Sequence, residues 1–131
     1  MASDEYNFFN VSNFIDISFN TGIDPNQIDS EKHSLVHWAT VCSQIKALEL
    51  LLEKGALPST PDLFGAHALH YATQIAADNK NEGMAIMRLL LKHAANVNCA
   101  DLDERTPLLW AASSGMHTAV AVKKDTILQY L

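Results

Sequence analysis

Ala66-His67-Ala68-Leu69-His70-Tyr71-Ala72-Thr73 has a counterpart in register on either side of it. His33-Ser34-Leu35-Val36-His37-Trp38-Ala39-Thr40 precedes it and Arg105-Thr106-Pro107-Leu108-Leu109-Trp110-Ala111-Ala112 follows. The alanine after the aromatic residue sets the offset: Ala39, Ala72 and Ala111 lie 33 and then 39 residues apart. The same offsets join Asp29, Asp62 and Asp101 and, ahead of them, Gly22, Gly55 and Ala94. A fixed period of this length implies a stack of copies of one small unit, each unable to bury its apolar face alone. Such stacks present an elongated surface, which favours binding over catalysis.

Each unit reads as a hairpin turn, a short helix, a turn and a second helix. The first helix is predicted from about Ser34 to Val41, with Ser34 as N-cap accepting from the orphan amides of the first turn. Thr106 caps the third unit, and Pro107 follows at the first helical position, where its missing N–H costs nothing. The second helix, around Ile45 to Lys54, places Ala47, Leu48, Leu51 and Leu52 on one side and ends at Gly55, suited to the left-handed C′ conformation. Ala56-Leu57-Pro58-Ser59-Thr60-Pro61 cannot continue it.

This layout resembles the ankyrin repeat. The resemblance is carried by Asp62, Gly65, Leu69, His70, Ala72, Leu50 to Leu52 and Gly55-Ala56. In the next unit it is carried by Asp101, Thr106 to Leu108, Ala111-Ala112, Leu89 to Leu91 and Asn96 to Asn98. It covers roughly residues 22–122, with three departures: Thr-Pro is intact only in the third unit, Leu109 stands where histidine is usual, and Ala94 replaces glycine. It implies an all-α ankyrin-repeat solenoid of stacked helix-turn-helix units joined by β-hairpin-like loops. The expected division is a degenerate N-terminal capping half-repeat over 1–28 and repeats over 29–61, 62–100 and 101–131. It also implies that His37 and His70 hydrogen-bond neighbouring backbone and tie one hairpin to the next, and Asn98 looks like the site that asparaginyl hydroxylases modify in ankyrin proteins.

The six extra residues of the second unit fall within Ile75 to Gly83, a polar, Asn-rich stretch that suits a solvent-exposed turn; they lengthen that turn or the helices beside it. At the N-terminus, a degenerate second helix is expected at about 12–20. At the other end, residues 118–131 read as the second helix of the third unit. That helix, left uncovered, could self-associate through Leu128 and Leu131, or belong to a longer chain.

Composition agrees with one folded domain: 131 residues, 48% hydrophobic and 18% charged. Two cysteines at Cys42 and Cys99 are not expected to pair, which suggests an intracellular, cytoplasmic setting, with the nucleus as another option. No basic region precedes the first apolar residues, against a secretory signal, and no apolar run approaches the roughly 18 residues of a membrane span. A net charge of -6 argues against a phosphate-backbone partner.

No cofactor or catalytic constellation is expected. His33 with His37, and His67 with His70, have helical spacing, but no third or fourth metal ligand follows at a recognisable interval. Cys42 lacks an oriented base, and no Gly-rich phosphate loop occurs. Binding is better supported. The residue after the motif histidine position is aromatic in every unit, Trp38, Tyr71 and Trp110, and a regular stack aligns the three as a ladder that either faces a ligand or packs between repeats. Leu63-Phe64 forms an apolar hairpin tip, while Glu31, Asp103 and Glu104 belong to a charged rim able to orient a partner. The expected role is a non-catalytic scaffold or adaptor that receives an extended or helical segment of a partner protein. The alternative is an architectural or regulatory segment of a larger enzyme, channel or ubiquitin ligase adaptor.

Overall fold

The computed structural model describes residue 22 and residues 24–113. Among the described residues, five helices follow one another: α1 (Leu35–Val41), α2 (Ile45–Glu53), α3 (Ala68–Asp78), α4 (Lys80–Lys92) and α5 (Pro107–Ser113). The first helices α1, α3 and α5 pack side by side in one layer, and α2 and α4 pack in a second layer behind α1 and α3. No strand occurs among the described residues; the hairpins carry only an isolated bridge, Ile28 to Ser34. The expected end helices over 12–20 and 118–131, and self-association through Leu128 and Leu131, lie outside the described residues.

Local chemistry repeats with the sequence. Ser34 Oγ accepts from the His37 N–H at 3.2 Å, and Thr106 Oγ1 accepts from the Leu109 N–H at 3.3 Å. Helix α2 ends with the Gly55 and Ala56 N–H groups donating to Leu52 and Leu51, and α4 ends with Ala94 and Ala95 donating to Leu91 and Leu90. Both follow the Schellman pattern, which needs a left-handed C′ residue. Gly55 supplies it without steric cost, whereas Ala94 is forced to a φ of 69°.

The core runs as one cluster along the stack, from Val36 and Ala39 through Leu48, Leu51 and Leu69 to Ile86, Met87 and Leu90. Small residues along the stack, Ala47, Ala72 and Ala111, are fully buried and let neighbouring helices approach closely.

Of the two expectations for the Ile75 to Gly83 stretch, a longer turn or longer helices beside it, the structure shows the second. The stretch is helical on both sides of Asn79, which alone links α3 to α4 and caps α4 by accepting from the Glu82 N–H at 3.2 Å. The extra residues lengthen both helices: α3 has 11 residues against 7 in α1, and α4 has 13 against 9 in α2. Gly83 and Ala76 are buried where these helices meet.

Successive hairpins are joined by backbone. The Leu63 N–H donates to the Glu31 carbonyl and the Leu102 N–H to the Phe64 carbonyl, both at 3.0 Å. Behind them, the Asn26 and Ser59 side chains accept from the backbone N–H of Leu57 and Asn96, at 2.7 and 2.8 Å, the same link one unit apart.

Candidate interaction face

Each hairpin is organised around its aspartate. Asp29 Oδ1 accepts from the N–H groups of Glu31 and His33, Asp62 Oδ1 from Phe64 and Ala66, and Asp101 Oδ1 from Asp103 and Arg105, all at 2.8–2.9 Å. The second oxygen of each reaches the aromatic residue nine positions on. Trp38 Nε1–H donates to Asp29 Oδ2 at 3.1 Å, Trp110 Nε1–H donates to Asp101 Oδ2 at 2.9 Å, and the Tyr71 hydroxyl donates to Asp62 Oδ2. Aspartate and aromatic thus hold each other in place, the hairpin fixing the carboxylate and the carboxylate fixing the ring.

These donors set the electrostatics. Lost hydration works against the charge of Asp62, but the Tyr71 hydroxyl and the Ala66 and Phe64 amides outweigh it and hold the carboxyl below its ordinary value. At Asp29 and Asp101 desolvation is likewise overcome, by the amides of His33 and Arg105 and by the indole N–H of Trp38 and Trp110. Tyr71 is pushed far above the usual phenol range, first by burial and then by its bond to Asp62.

His37 and His70 are latches between units. His37 Nδ1 accepts from the Ser34 N–H at 3.1 Å, so its proton sits on Nε2 and is donated to the Ala66 carbonyl at 2.9 Å. His70 repeats this one unit on, accepting from the His67 N–H at 3.0 Å and donating to the Arg105 carbonyl at 2.8 Å. Burial holds both below the ordinary imidazole value. Both rings are committed to backbone, and among the described residues no group of three or more metal-ligating side chains is placed to hold an ion. Cys99 is buried, with its thiol pushed up to about 11 by desolvation. Such a thiol is a poor nucleophile.

The aromatic ladder is both packed and open. Trp38 is 51% exposed, while Tyr71 and Trp110 are half-buried. The His33 ring lies edge-on to Trp38 at 5.9 Å and to Tyr71 at 6.5 Å, and Tyr71 lies edge-on to Trp110 at 5.4 Å. The four rings form one row along the first-helix layer. Two depressions open on this row: one of about 180 Å³ lined by His33, His37, Trp38, Val41 and Tyr71, and one of about 350 Å³ lined by Phe64, Tyr71, Leu102 and Trp110 with Asp101, Asp103 and Arg105.

The remaining expected residues divide. Phe64 is 63% exposed and lines the second depression; Leu63 is exposed on the same tip but does not line it. Glu31 and Glu104 are exposed, Glu104 in a left-handed conformation with φ 62°. Asp103 is drawn into an ion pair with Arg105 at 2.8 Å, and Arg105 also reaches Asp101 at 3.2 Å. Asn98 is exposed in the turn ahead of the third hairpin, its N–H donating to Asn96 Oδ1 at 2.9 Å. Sequence reading missed Val41 and Leu102 as exposed lining residues. It also missed the aspartates as ring acceptors, although the constant offset of nine between 29 and 38, 62 and 71, and 101 and 110 carries that signal.

Stacked hairpin and helix-pair units with backbone latches define a repeat-module protein. Residues 64–102 match the family model of the ankyrin repeat, and the described region is an ankyrin-repeat fold. The chain is similar to the palmitoyltransferase AKR1 of Lachancea kluyveri, 30% identical over 95 residues that make up 72% of this chain and 12% of that protein. It is also similar to a Fowlpox virus protein, FPV024, named for its ankyrin repeat (34% over 82 residues, 63% of this chain and 13% of that protein). The E3 ubiquitin-protein ligase Ufd4 of Drosophila melanogaster is 33% identical over 87 residues, 66% of this chain and 3% of the ligase. The matched segment thus spans a small fraction of each relative's length. No helix among the described residues is long and apolar enough to cross a membrane.

Proposed function

We propose that this domain is a non-catalytic recognition module whose ring row and hairpin tips receive a segment of a partner protein. Ankyrin repeats generally mediate protein–protein interaction, and the observation that supports this face as the site is its run of exposed apolar side chains. Trp38, Val41, Leu63, Phe64 and Leu102 are each about half or more exposed, at 46–74%. Trp38 and Val41 line one depression of the ring row and Phe64 and Leu102 the other, with Leu63 next to Phe64 on its tip, a patch of the kind that marks an interaction site. Trp38, Tyr71 and Trp110 form the floor, Leu63 and Phe64 one wall, and Glu31, Asp103 and Glu104 the rim.

In this reading the chain acts as scaffold or adaptor, with repeats over 29–61, 62–100 and 101–131 behind a capping half-repeat. The unpaired cysteines fit a reducing, cytoplasmic compartment, and Asn98, exposed in its turn, is open to side-chain hydroxylation. The length of the relatives supports a second reading, a regulatory segment within a larger enzyme or ligase.

The test selects binders to the full chain from a displayed library of short random peptides. Leu63→Ala with Phe64→Ala should weaken the selected peptides about tenfold or more, as loss of an interface anchor does, and leave the melting temperature unchanged. Binders indifferent to both substitutions would place recognition elsewhere.

A further inference from the structure

Resting on the reading of this face as the recognition surface, we infer that it takes a basic partner segment, with a lysine or arginine side chain lying over Trp38 in the depression between the first and second units. Three observations converge. The first is the ring electronics. Trp38, Tyr71 and Trp110 each donate their only polar hydrogen to a carboxylate of their own hairpin. Donation to an anion pushes electron density back onto the ring and deepens the negative potential of its face, to which a cation is drawn. Of the three, Trp38 turns the most surface outward.

The second is shape. The depression of about 180 Å³ is walled by Val41, Trp38, Tyr71 and the His33 and His37 rings. Apolar walls suit the methylene stem of a long basic side chain, which buries its stem and leaves its charged head at a polar edge. That edge is present: Asp29 holds the Trp38 indole, and Glu31, 63% exposed at its side chain, stands beside His33 at 3.7 Å. His37 is fixed as a neutral donor to backbone and contributes no positive charge to repel the head.

The third is charge balance along the face. The first and third hairpins carry Asp29, Glu31, Asp103 and Glu104 against Lys32 and Arg105; Arg105 is already bound to Asp101 and Asp103, and the His33 ring lies within 3.3–3.7 Å of Asp62, Asp29 and Glu31. An acidic segment would meet like charge at both hairpin tips, at a cost to affinity and to encounter rate. The second depression, with Phe64, Leu102 and Trp110 around it, takes an apolar side chain of the same segment.

The experiment uses the same peptide selection on the full chain and reads composition. Selected binders should be enriched in lysine or arginine, and replacing the common basic residue by citrulline or leucine should weaken them. Trp38→Leu, which keeps apolar bulk and removes the π face, should cost roughly tenfold in affinity, within the range of cation–π contacts. Glu31→Gln should cost less and reduce the salt dependence. Circular dichroism and melting temperature confirm that both variants fold. Binders without basic enrichment, or basic binders indifferent to Trp38→Leu and Glu31→Gln, overturn this inference while leaving the groove intact if Leu63→Ala with Phe64→Ala still weakens binding about tenfold or more. Failure to select any peptide sensitive to Leu63 and Phe64 overturns both.

Discussion

His70 Nε2 lies 2.8 Å from the carbonyl oxygen of Arg105, 35 residues away, and so ties the second helix pair to the third hairpin. The other ring nitrogen holds the N–H of His67 at the start of α3. One buried ring thus satisfies a donor and an acceptor that no helix or strand would pair. His70→Ala leaves both unsatisfied and opens space beneath Trp110, whose ring centroid lies 5.0 Å away. The expected loss is about 3 kcal/mol of unfolding free energy, read from urea denaturation. A loss below about 1 kcal/mol would mean that the latch is ornamental.

The two latches and the neighbouring His67 ring predict a pH dependence. His37, His67 and His70 are all held below the imidazole value of 6.5, in each case first by burial. The folded state therefore binds fewer protons than the unfolded chain as the solution acidifies, and stability rises with pH in that window. Their contribution is complete above about pH 6.5 and is lost as pH falls through the lowered folded values. Asp29, Asp62 and Asp101, also lowered, add a further loss in the same direction only below about pH 4. The urea midpoint should drop between pH 7.5 and 5.5; an unchanged midpoint would mean that the three imidazoles take up protons as readily in the folded state as in the unfolded chain.

The repeat register located the helices because it rests on strong local signals: Ser34 and Thr106 as caps, Gly55 as stop, and buried alanines where helices touch. It also placed the ladder, since equivalent positions in a stack must face the same way. What it could not supply was depth and pairing. Whether Trp38 opens outward while Trp110 is half covered depends on the neighbouring hairpin, a contact some 30 residues distant in the chain. The polarity of Ile75 to Gly83 left a longer turn and longer helices undecided for a related reason. Asp78, Lys80 and Asn81 are exposed at the ends of the lengthened helices, with the exposed Asn79 between them, while Ala76 and Gly83 are buried, and a mixture of this kind resembles a loop when read as composition alone.

Ala94 stands where the first two units carry Gly22 and Gly55, and it holds the left-handed conformation that both glycines also adopt. Its Cβ strains the backbone against the following carbonyl, while Ala95 N–H still closes the turn onto Leu90 at 3.0 Å. Ala94→Gly should raise stability by about 1 kcal/mol, the relief of strain exceeding the entropy that glycine adds to the unfolded chain. Differential scanning calorimetry would show this as a higher melting temperature, and a lower one would refute the assignment of strain.

Gly83 gives the opposite sign for alanine. On helix propensity alone, Gly83→Ala within α4 should stabilise by about 1 kcal/mol. An added Cβ, however, would lie 2.2 Å from both the Cα and the Cβ of Ala76 and 2.3 Å from its backbone nitrogen. Two of those three atoms belong to the backbone of α3, so no side-chain rotation can relieve the overlap and the helices must part. Overpacking of this kind costs about 1–3 kcal/mol, and a net loss of about 2 kcal/mol is expected. The second substitution Ala76→Gly removes one clashing atom and leaves the backbone contacts, so it should not restore stability. Full rescue by Ala76→Gly would show that the two helices meet through side chains rather than along their backbones.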